Sequence, residues 1–264
     1  MSVLTTRTKD HVRGNQPKCP CVLLLDTSGS MLKDGRIIQL NAGLHEFKKA
    51  VCEDEAASAR VDIAIVTFSD RVELAMDWTL AIDFQPPILK AEGQTAMCQA
   101  ILEAIALVKH RKQIYKEKGI PYFQPWIFMI TDGEPTDPEL LDAAKSALRT
   151  MEEQPAKLTF YAIGVEEANM DLLRSLSINP AFELKHLAFD DLFRWLGMSA
   201  SKGSGRQPVQ PKAPDTQTAT APQAGTVVNI QNIQSPPPPP VPPPETIVFA
   251  FPSKLIPTSR VEKV

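Results

Sequence analysis

Two carboxylates and three hydroxyls stand where predicted strands end, and no other residues of this sequence are better suited to chemistry. Asp26 ends the apolar run CVLLLD, and the turn-forming residues TSGS that follow carry the hydroxyls of Ser28 and Ser30. Thr95 lies in the loop AEGQTAM, and Asp132 follows the apolar run WIFMIT. All of these side chains offer hard oxygen atoms, which suit Mg²⁺ or Mn²⁺ and are poor ligands for zinc or copper.

The same residue types also have a purely structural explanation. Asp, Ser, Thr and Gly favour turns and helix N-caps, so DTSGS alone fits a turn between a strand and a helix. The combination of DTSGS with GQTAM and TDGEPTD on successive predicted elements favours a metal site. Two carboxylates neutralise a divalent ion, and the remaining coordination positions are left to water or to a carboxylate of a partner.

The residues next to these candidates each have two interpretations. Asp137 could be an additional ligand, but the run TDPE resembles a capping box with proline in the first turn, which favours capping of the helix that follows. Glu134 could bond a metal-bound water or simply face solvent. Gly29 and Gly133 are grouped with the partner-binding or surrounding residues, as backbone positions that permit tight turns and not as ligands.

Alternating strand and helix patterns must bring these residues together. Four nearly continuous apolar runs predict strands of a parallel sheet buried on both faces, at 21–26, 61–68, 126–131 and 158–165. Apolar residues at helical spacing predict helices around 37–51, 96–110, 140–151, 172–176 and 192–196. A turn at Ser69–Asp70 predicts a returning antiparallel edge strand. The fold class is therefore α/β: a doubly wound, mostly parallel, Rossmann-like sheet that binds ligands at the carboxyl ends of its strands.

The composition changes near Ser201 and divides the chain into three parts. Hydrophobic residues make up 43% of the 264, which is enough for a core, yet 14 of the 24 prolines lie beyond Lys202. We predict an N-terminal arm at 1–16, a folded domain at 17–201 and a disordered, proline-rich tail at 202–264. A short apolar motif at 246–257 either folds back on the domain or docks a second protein.

Charge and hydropathy argue against several classes of protein. A net charge of −3 gives no general attraction to nucleic acid or to an anionic membrane. No apolar run reaches the roughly 18 residues that span a bilayer, and the N-terminus lacks the apolar segment of a secretory signal. We therefore expect a cytoplasmic protein that binds neither nucleic acid nor membrane. Its four cysteines do not have zinc-site spacing, so we expect free thiols that are buried or partly buried.

The run DTSGS at 26–30 resembles the DxSxS motif of von Willebrand factor A (VWA) domains, which forms their metal-ion-dependent adhesion site (MIDAS). Thr95 and Asp132 match the second and third elements of that site, and the resemblance covers about 17–201. The chain is also similar to the bacterial TerY-like, tellurite-resistance-associated subgroup of these proteins. The similarity lies in the runs LLLDTSGSM, GQTAM, FMITDGEPTD and LFRWLGMSAS. The resemblance implies that a bound Mg²⁺ captures an acidic residue of a protein partner. It also implies a signalling or stress-response assembly that includes a Ser/Thr kinase or phosphatase. Some relatives carry a cysteine-rich zinc module that this tail, without cysteine, does not have.

We therefore predict a non-enzymatic, metal-dependent protein-binding module. The alternative is a metal-dependent phosphohydrolase or phosphotransfer enzyme, because a strand that ends in Asp also positions the nucleophile of haloacid dehalogenase-type enzymes. Those enzymes need a second carboxylate two residues after the nucleophile, and here that residue is Ser28. A third possibility is that the tail carries the function and the folded domain is its scaffold.

Overall fold

A six-stranded sheet forms the centre of the computed structural model, which describes Leu4 and the residues 12–153 and 158–184. Its strands are β1 (Cys19–Asp26), β2 (Val61–Phe68), β3 (Val72–Leu80), β4 (Trp126–Thr131), β5 (Thr159–Val165) and β6 (Phe182–Leu184). They lie in the order β3-β2-β1-β4-β5-β6. The predicted strands are thus confirmed. The sequence pattern did not predict β6, because a strand of three residues, of which only Leu184 is buried, is too short to form a recognisable apolar run.

The pairing of the strands confirms a mostly parallel sheet with one antiparallel edge strand. β1 pairs in parallel with β2 and β4, while β5 pairs in parallel with β4 and β6. β3 returns along β2 in the antiparallel direction after the tight turn predicted at Ser69–Asp70. β1 is central, and the strand order reverses between β1 and β4. In open α/β sheets ligands bind at such a switch point, outside the carboxyl ends of the strands.

Helices cover both faces of the sheet, as the prediction of a doubly wound fold requires. They are α1 (Arg36–Cys52), α2 (Glu55–Ser58), α3 (Met97–Glu117), α4 (Leu141–Glu153) and α5 (Met170–Leu176). Leu44 of α1 is buried in one apolar cluster together with Leu23 of β1. Ile101 of α3 and Leu148 of α4 are buried in the other cluster, together with Val22. Successive side chains of β1 therefore enter opposite layers of the core.

Other sequence predictions have mixed outcomes. The thiols are free, with three buried and Cys52 partly buried, as expected. Among the described residues, no helix is both long and apolar enough to cross a membrane. The predicted helix around 192–196, the tail at 202–264 with its apolar motif, and most of the arm at 1–16 lie outside the described residues.

Candidate metal centre

Asp26 is the best-anchored residue of the candidate site. It ends β1, is fully buried, and uses both oxygens of its carboxylate. Oδ1 accepts the backbone N–H of Ser28 at 2.8 Å, and Oδ2 accepts the hydroxyl of Thr131 at 2.6 Å. The backbone N–H of Thr27 donates to the carbonyl of Phe68 at 2.9 Å, which fixes the turn to the neighbouring strand. The carboxylate is therefore held rigidly at the switch point.

A chain of hydroxyl contacts joins the loops that follow β1 and β4. The hydroxyl oxygens of Ser28 and Ser30 lie 2.9 Å apart. Ser30 then donates to Oδ1 of Asp132 at 2.6 Å. As whole residues, Ser28 and Asp132 are 2% and 7% exposed, whereas Ser30 between them is exposed, so the chain of contacts runs from a buried position to solvent. Residues 102 positions apart in the chain thus meet at one point, as the sequence predicted from the strand ends.

Thr95 reaches the same point from the loop that precedes α3. Its backbone carbonyl accepts the N–H of Thr136 at 2.9 Å, and its own N–H donates to the hydroxyl of Thr136 at 3.2 Å. A β-carbon placed on Gly133 would lie 3.4 Å from Oγ1 of Thr95 and 3.9 Å from Oδ2 of Asp26. The threonine hydroxyl and the carboxylate therefore both face the Gly133 backbone. The structure brings all the predicted ligand side chains together, and their role as ligands stays a prediction.

A tight backbone crossing places the Thr95 loop. The N–H of Gly29 donates to the carbonyl of Gly93 at 2.9 Å. Gly93 has φ +76°, and a β-carbon there would lie 2.5 Å from Oδ2 of Asp70. Oδ1 of Asp70 accepts the N–H of Gln94 at 2.8 Å. Asp70, which the sequence assigned only to the hairpin turn, therefore also holds the loop that carries Thr95.

Asp137 is a cap, but of a different helix from the one predicted. Its carboxylate accepts the N–H of Cys98 at 3.1 Å and the N–H of Gln99 at 2.7 Å. Both donors lie in the first turn of α3, whereas no side-chain hydrogen bond caps the turn that begins at Pro138. The capping-box pattern was wrong here because it considers only local partners, while the fold brings the amino end of α3 to this loop.

Glu134 lies at the outer edge of the β4 loop. Its side chain is exposed, and Oε1 accepts a hydrogen bond from Nδ2 of Asn169 at 2.8 Å. Oδ1 of Asn169 in turn accepts the N–H of Leu172 at 3.1 Å and caps α5. Glu134 therefore connects the candidate site to α5.

The sequence analysis missed one charged residue of the site, Arg36. Nη1 of this arginine lies 2.5 Å from Oδ2 of Asp132, and both side chains are almost completely buried, at 4% and 0% exposed. Arg36 is the first residue of α1 and follows Gly35, whose φ is +73°. A cation is unfavourable at a helix N-terminus because of the helix dipole. The sequence did not reveal this position, because the predicted helix begins at about residue 37 and the carboxylate partner of Arg36 is 96 positions away.

Burial controls the protonation of the site. It raises the pKa of Asp26 to about 6, the hydrogen bonds from Ser28 and Thr131 act in the opposite direction, and the nearby charge of Asp132 adds a smaller increase. Asp26 is therefore ionised at neutral pH at a cost in free energy. A cation beside the carboxylate would offset that cost.

The donor set fits a hard divalent cation. Two carboxylates and three hydroxyls converge from three loops, and no nitrogen or sulfur side chain is among them. Within the described part of the chain, no group of three or more His, Cys, Asp or Glu residues is placed to hold a metal. A metal held here would therefore depend on the hydroxyls as well as the carboxylates. Mg²⁺ and Mn²⁺ accept such mixed oxygen shells, with water in the remaining positions.

Comparison with known proteins gives a family match and a shared fold. The family model described as "von Willebrand factor type A domain" matches residues 21–134, which include all five predicted ligands. No curated protein matches the chain.

Solved structures share the architecture at low sequence identity. One is "von Willebrand factor type A from Catenulispora acidiphila", with TM-score 0.51, 17% identity and coverage of 70% of this chain and 43% of that one. Another is the pilus adhesin SpaC from Lactobacillus rhamnosus GG, with TM-score 0.57, 13% identity and coverage of 72% and 30%. A third is a variant of the PilB minor pilin from Streptococcus sanguinis, with TM-score 0.50, 12% identity and coverage of 74% and 65%. This chain thus spans less than half of the first two structures, and the likeness shows the fold alone.

Proposed function

We propose that the chain is a non-enzymatic binding module of the von Willebrand factor type A kind, which captures an acidic residue of a protein partner through a divalent ion; the match of residues 21–134 to that family model supports this proposal. The ion is Mg²⁺ or Mn²⁺. The residues that would hold it come from the carboxyl ends of β1 and β4 and from the loop before α3: Asp26, Ser28, Ser30, Asp132 and Thr95. The loops around the ion would be supported by Glu134, Asp137, Gly29 and Gly133.

The contact chain from Ser28 through Ser30 to Asp132 carries this proposal. It gathers hydroxyl and carboxylate oxygens from two loops at the switch point of the sheet, at distances of 2.9 and 2.6 Å. A turn or cap would not require hydroxyls and a carboxylate to converge from residues so far apart in the chain. The bound ion would act as a Lewis acid that attracts a negatively charged oxygen ligand.

Exposed apolar side chains on the segments that carry or lead to the site residues support a protein partner over a small anion. Five large apolar residues are strongly exposed among the described residues, and three of them come from the segments around the site: Leu32 at 62%, Ile38 at 69% and Ile88 at 85%. Asn41 of α1 bonds both the N–H and the carbonyl of Leu89, at 2.8 and 2.9 Å, so the segment with Ile88 packs against α1. Apolar side chains around a polar centre are typical of protein interfaces.

The phosphohydrolase alternative needs an acid or base that the site does not offer at the required position. Two residues after Asp26, the hydroxyl of Ser28 contacts the hydroxyl of Ser30, and neither can act as a carboxylic acid near neutral pH. We therefore favour binding over catalysis. Turnover of a phosphate ester with Mg²⁺ that is lost in Asp26→Asn would reverse this choice.

The pathway rests on the sequence resemblance alone. We propose a TerY-like role in a cytoplasmic signalling or stress-response assembly, with a Ser/Thr kinase or phosphatase system as the source of the partner. The proline-rich tail would then be free to dock a second protein.

Calorimetric titration of the full chain with Mg²⁺ and Mn²⁺ tests the metal site. We expect one ion per chain, loss of binding in Asp26→Asn, and no loss in the control Asp77→Asn, whose carboxylate lies in β3 away from the site. Equal binding by the wild type and Asp26→Asn would contradict the proposal.

Capture of partners from the native cell tests the module. Proteins retained by the wild-type chain in Mg²⁺ should be released by EDTA and absent with Thr95→Ala. Retention that ignores both EDTA and the substitution would place recognition elsewhere, for example in the tail.

A further inference from the structure

Arg36 gives the candidate site a permanent positive charge. Its guanidinium donates to Oδ2 of Asp132 at 2.5 Å, while Oδ1 of the same carboxylate accepts the hydroxyl of Ser30 at 2.6 Å. Both Arg36 and Asp132 are buried, so water screens their interaction poorly. A guanidinium keeps its proton throughout the pH range in which proteins are folded. Its charge is therefore a fixed part of the site.

A second observation concerns a nitrogen of the Arg36 guanidinium that does not bond Asp132. Nε of Arg36 is buried and has no hydrogen-bond partner in the part of the chain that the structure describes. A buried donor without a partner is unfavourable by about 1–3 kcal/mol in general. The position of the guanidinium is thus set by its interaction with Asp132, although Nε does not form a hydrogen bond there.

We infer that Arg36 biases the metal-loaded site toward a carboxylate ligand at the expense of affinity for the metal alone, an inference that rests on the proposed function. The buried charges of Asp26, Asp132 and Arg36 leave a net charge of −1. A bound dication changes this net charge to +1, and a ligand carboxylate returns it to zero. The site is therefore electrically balanced only when metal and ligand are both present.

The charge of Arg36 acts in opposite directions on the two binding events. It repels the dication and competes for the oxygens of Asp132, so it weakens binding of the metal alone. It attracts the incoming carboxylate, so it strengthens binding of the ligand to the metal-loaded site. The direct attraction between the ion and the carboxylate makes each tighten the binding of the other, and Arg36 raises the share of metal-loaded sites that a given concentration of carboxylate occupies. Arg36 is in this sense a specificity-determining residue for acidic ligands.

Mn²⁺ titrations of the full chain in sodium acetate and in sodium chloride, at equal ionic strength, test this inference. Acetate is the carboxylate probe, and a titration without protein corrects for the Mn²⁺ that acetate binds in solution. We expect acetate to tighten Mn²⁺ binding by the wild-type chain several-fold. This measurement does not depend on the folding of any variant.

Arg36→Gln removes the charge and keeps a hydrogen-bond donor for Asp132. We expect it to bind Mn²⁺ about tenfold more tightly than the wild type in chloride, with an acetate effect reduced to less than about twofold. Arg36→Lys keeps the charge and should restore both wild-type properties. Lys33→Met removes an exposed charge three residues away, at an ion pair with Glu167, and should change Mn²⁺ affinity less than twofold.

Each outcome supports or overturns a defined statement. Three results would overturn the inference and leave the metal site intact. They are Mn²⁺ binding by Arg36→Gln that is unchanged or weaker than that of the wild type, an acetate effect that is equal in the two proteins, and no acetate effect in the wild type. If the wild type and Asp26→Asn fail equally to bind Mn²⁺, the proposed function itself is overturned.

Discussion

At the scale of single residues, the candidate site combines features that are unfavourable for folding. Asp26 is a fully buried carboxylate whose pKa burial raises to about 6, and Arg36 is a buried cation at the amino end of a helix. Neither feature improves packing. A buried carboxylate with a raised pKa beside a buried ion pair is an arrangement that is often found at functional sites.

Asp26→Asn should stabilise the metal-free protein at neutral pH. The pKa of Asp26 rises from 3.8 to about 6 in the fold, which corresponds to a cost of about 3 kcal/mol for its charged form at pH 7. The amide of the Asp26→Asn variant has one carbonyl oxygen in place of two carboxylate oxygens, so either Ser28 or Thr131 loses its acceptor. This loss lowers the free energy of unfolding by about 1 kcal/mol. Urea unfolding in EDTA should therefore show a net gain of about 2 kcal/mol. A loss of stability would contradict the assigned cost of burial.

The gain from Asp26→Asn should depend on pH with a defined sign. Since the folded pKa is raised, the native state binds more protons than the unfolded state between pH 3.8 and about 6. The stabilising contribution of the protonated Asp26 is fully present below this window and is lost as the pH rises through it. Unfolding at several pH values should show little difference between wild type and Asp26→Asn near pH 4 and the full difference at pH 7. Asp77→Asn serves as the control.

At the scale of secondary-structure elements, the strands and their terminal residues could be predicted, whereas the contacts between loops could not. β1 and β4 are continuous apolar runs, so their ends, and with them Asp26 and Asp132, follow from the sequence. Capping of α3 by Asp137 depends on a partner about forty residues away, which no local pattern shows. Arg36 resembled an ordinary helix residue because its carboxylate partner is 96 positions away.

Asp137→Ala should weaken both the fold and the metal site. The aspartate accepts two backbone N–H groups of the first turn of α3, and Thr95 lies just before that turn. We expect a loss of about 1–2 kcal/mol in the free energy of unfolding, in the range of N-cap substitutions, together with weaker Mn²⁺ binding. The control Asp142→Ala removes an exposed aspartate from the first turn of α4 and should cost less and leave Mn²⁺ binding unchanged. Equal effects of the two substitutions would contradict the role of Asp137.

Gly93→Ala should displace the loop that carries Thr95. Its β-carbon would lie 2.5 Å from the carboxylate of Asp70, which would have to give up its hydrogen bond to the N–H of Gln94. Gly119→Ala is a matched control, because Gly119 also has a positive φ of +64° but nothing lies within 4 Å of its added carbon. Gly93→Ala should exceed this control in lost stability by about 1 kcal/mol, the net worth of one hydrogen bond, and should alone reduce Mn²⁺ affinity.

At the scale of the whole molecule, the buried charges at the amino ends of the strands are compensated differently from those at the carboxyl ends. At the amino end of β2, the buried carboxylate of Asp62 accepts hydrogen bonds from Arg111 at 2.7 and 2.9 Å and from Tyr115. At the carboxyl end, Arg36 pairs with Asp132, while the buried carboxylate of Asp26 accepts hydrogen bonds from neutral groups of Ser28 and Thr131. Parallel strands and short loops bring about this convergence, and the surplus negative charge remains where a cation can enter.

Binding of a divalent ion should therefore stabilise the entire fold. An ion that binds only the folded state at about 100 times its dissociation constant adds about 2.7 kcal/mol to the free energy of unfolding. For a domain of this size that corresponds to a rise of about 5–10 °C in Tm. Thermal unfolding followed by circular dichroism should show this rise on addition of Mn²⁺ and its reversal by EDTA. Asp26→Asn should show a higher Tm without metal but no further rise with it. An equal rise in Tm for the wild type and Asp26→Asn would mean that the ion binds elsewhere, because the variant lacks the central carboxylate of the proposed site and should not be stabilised by an ion bound there.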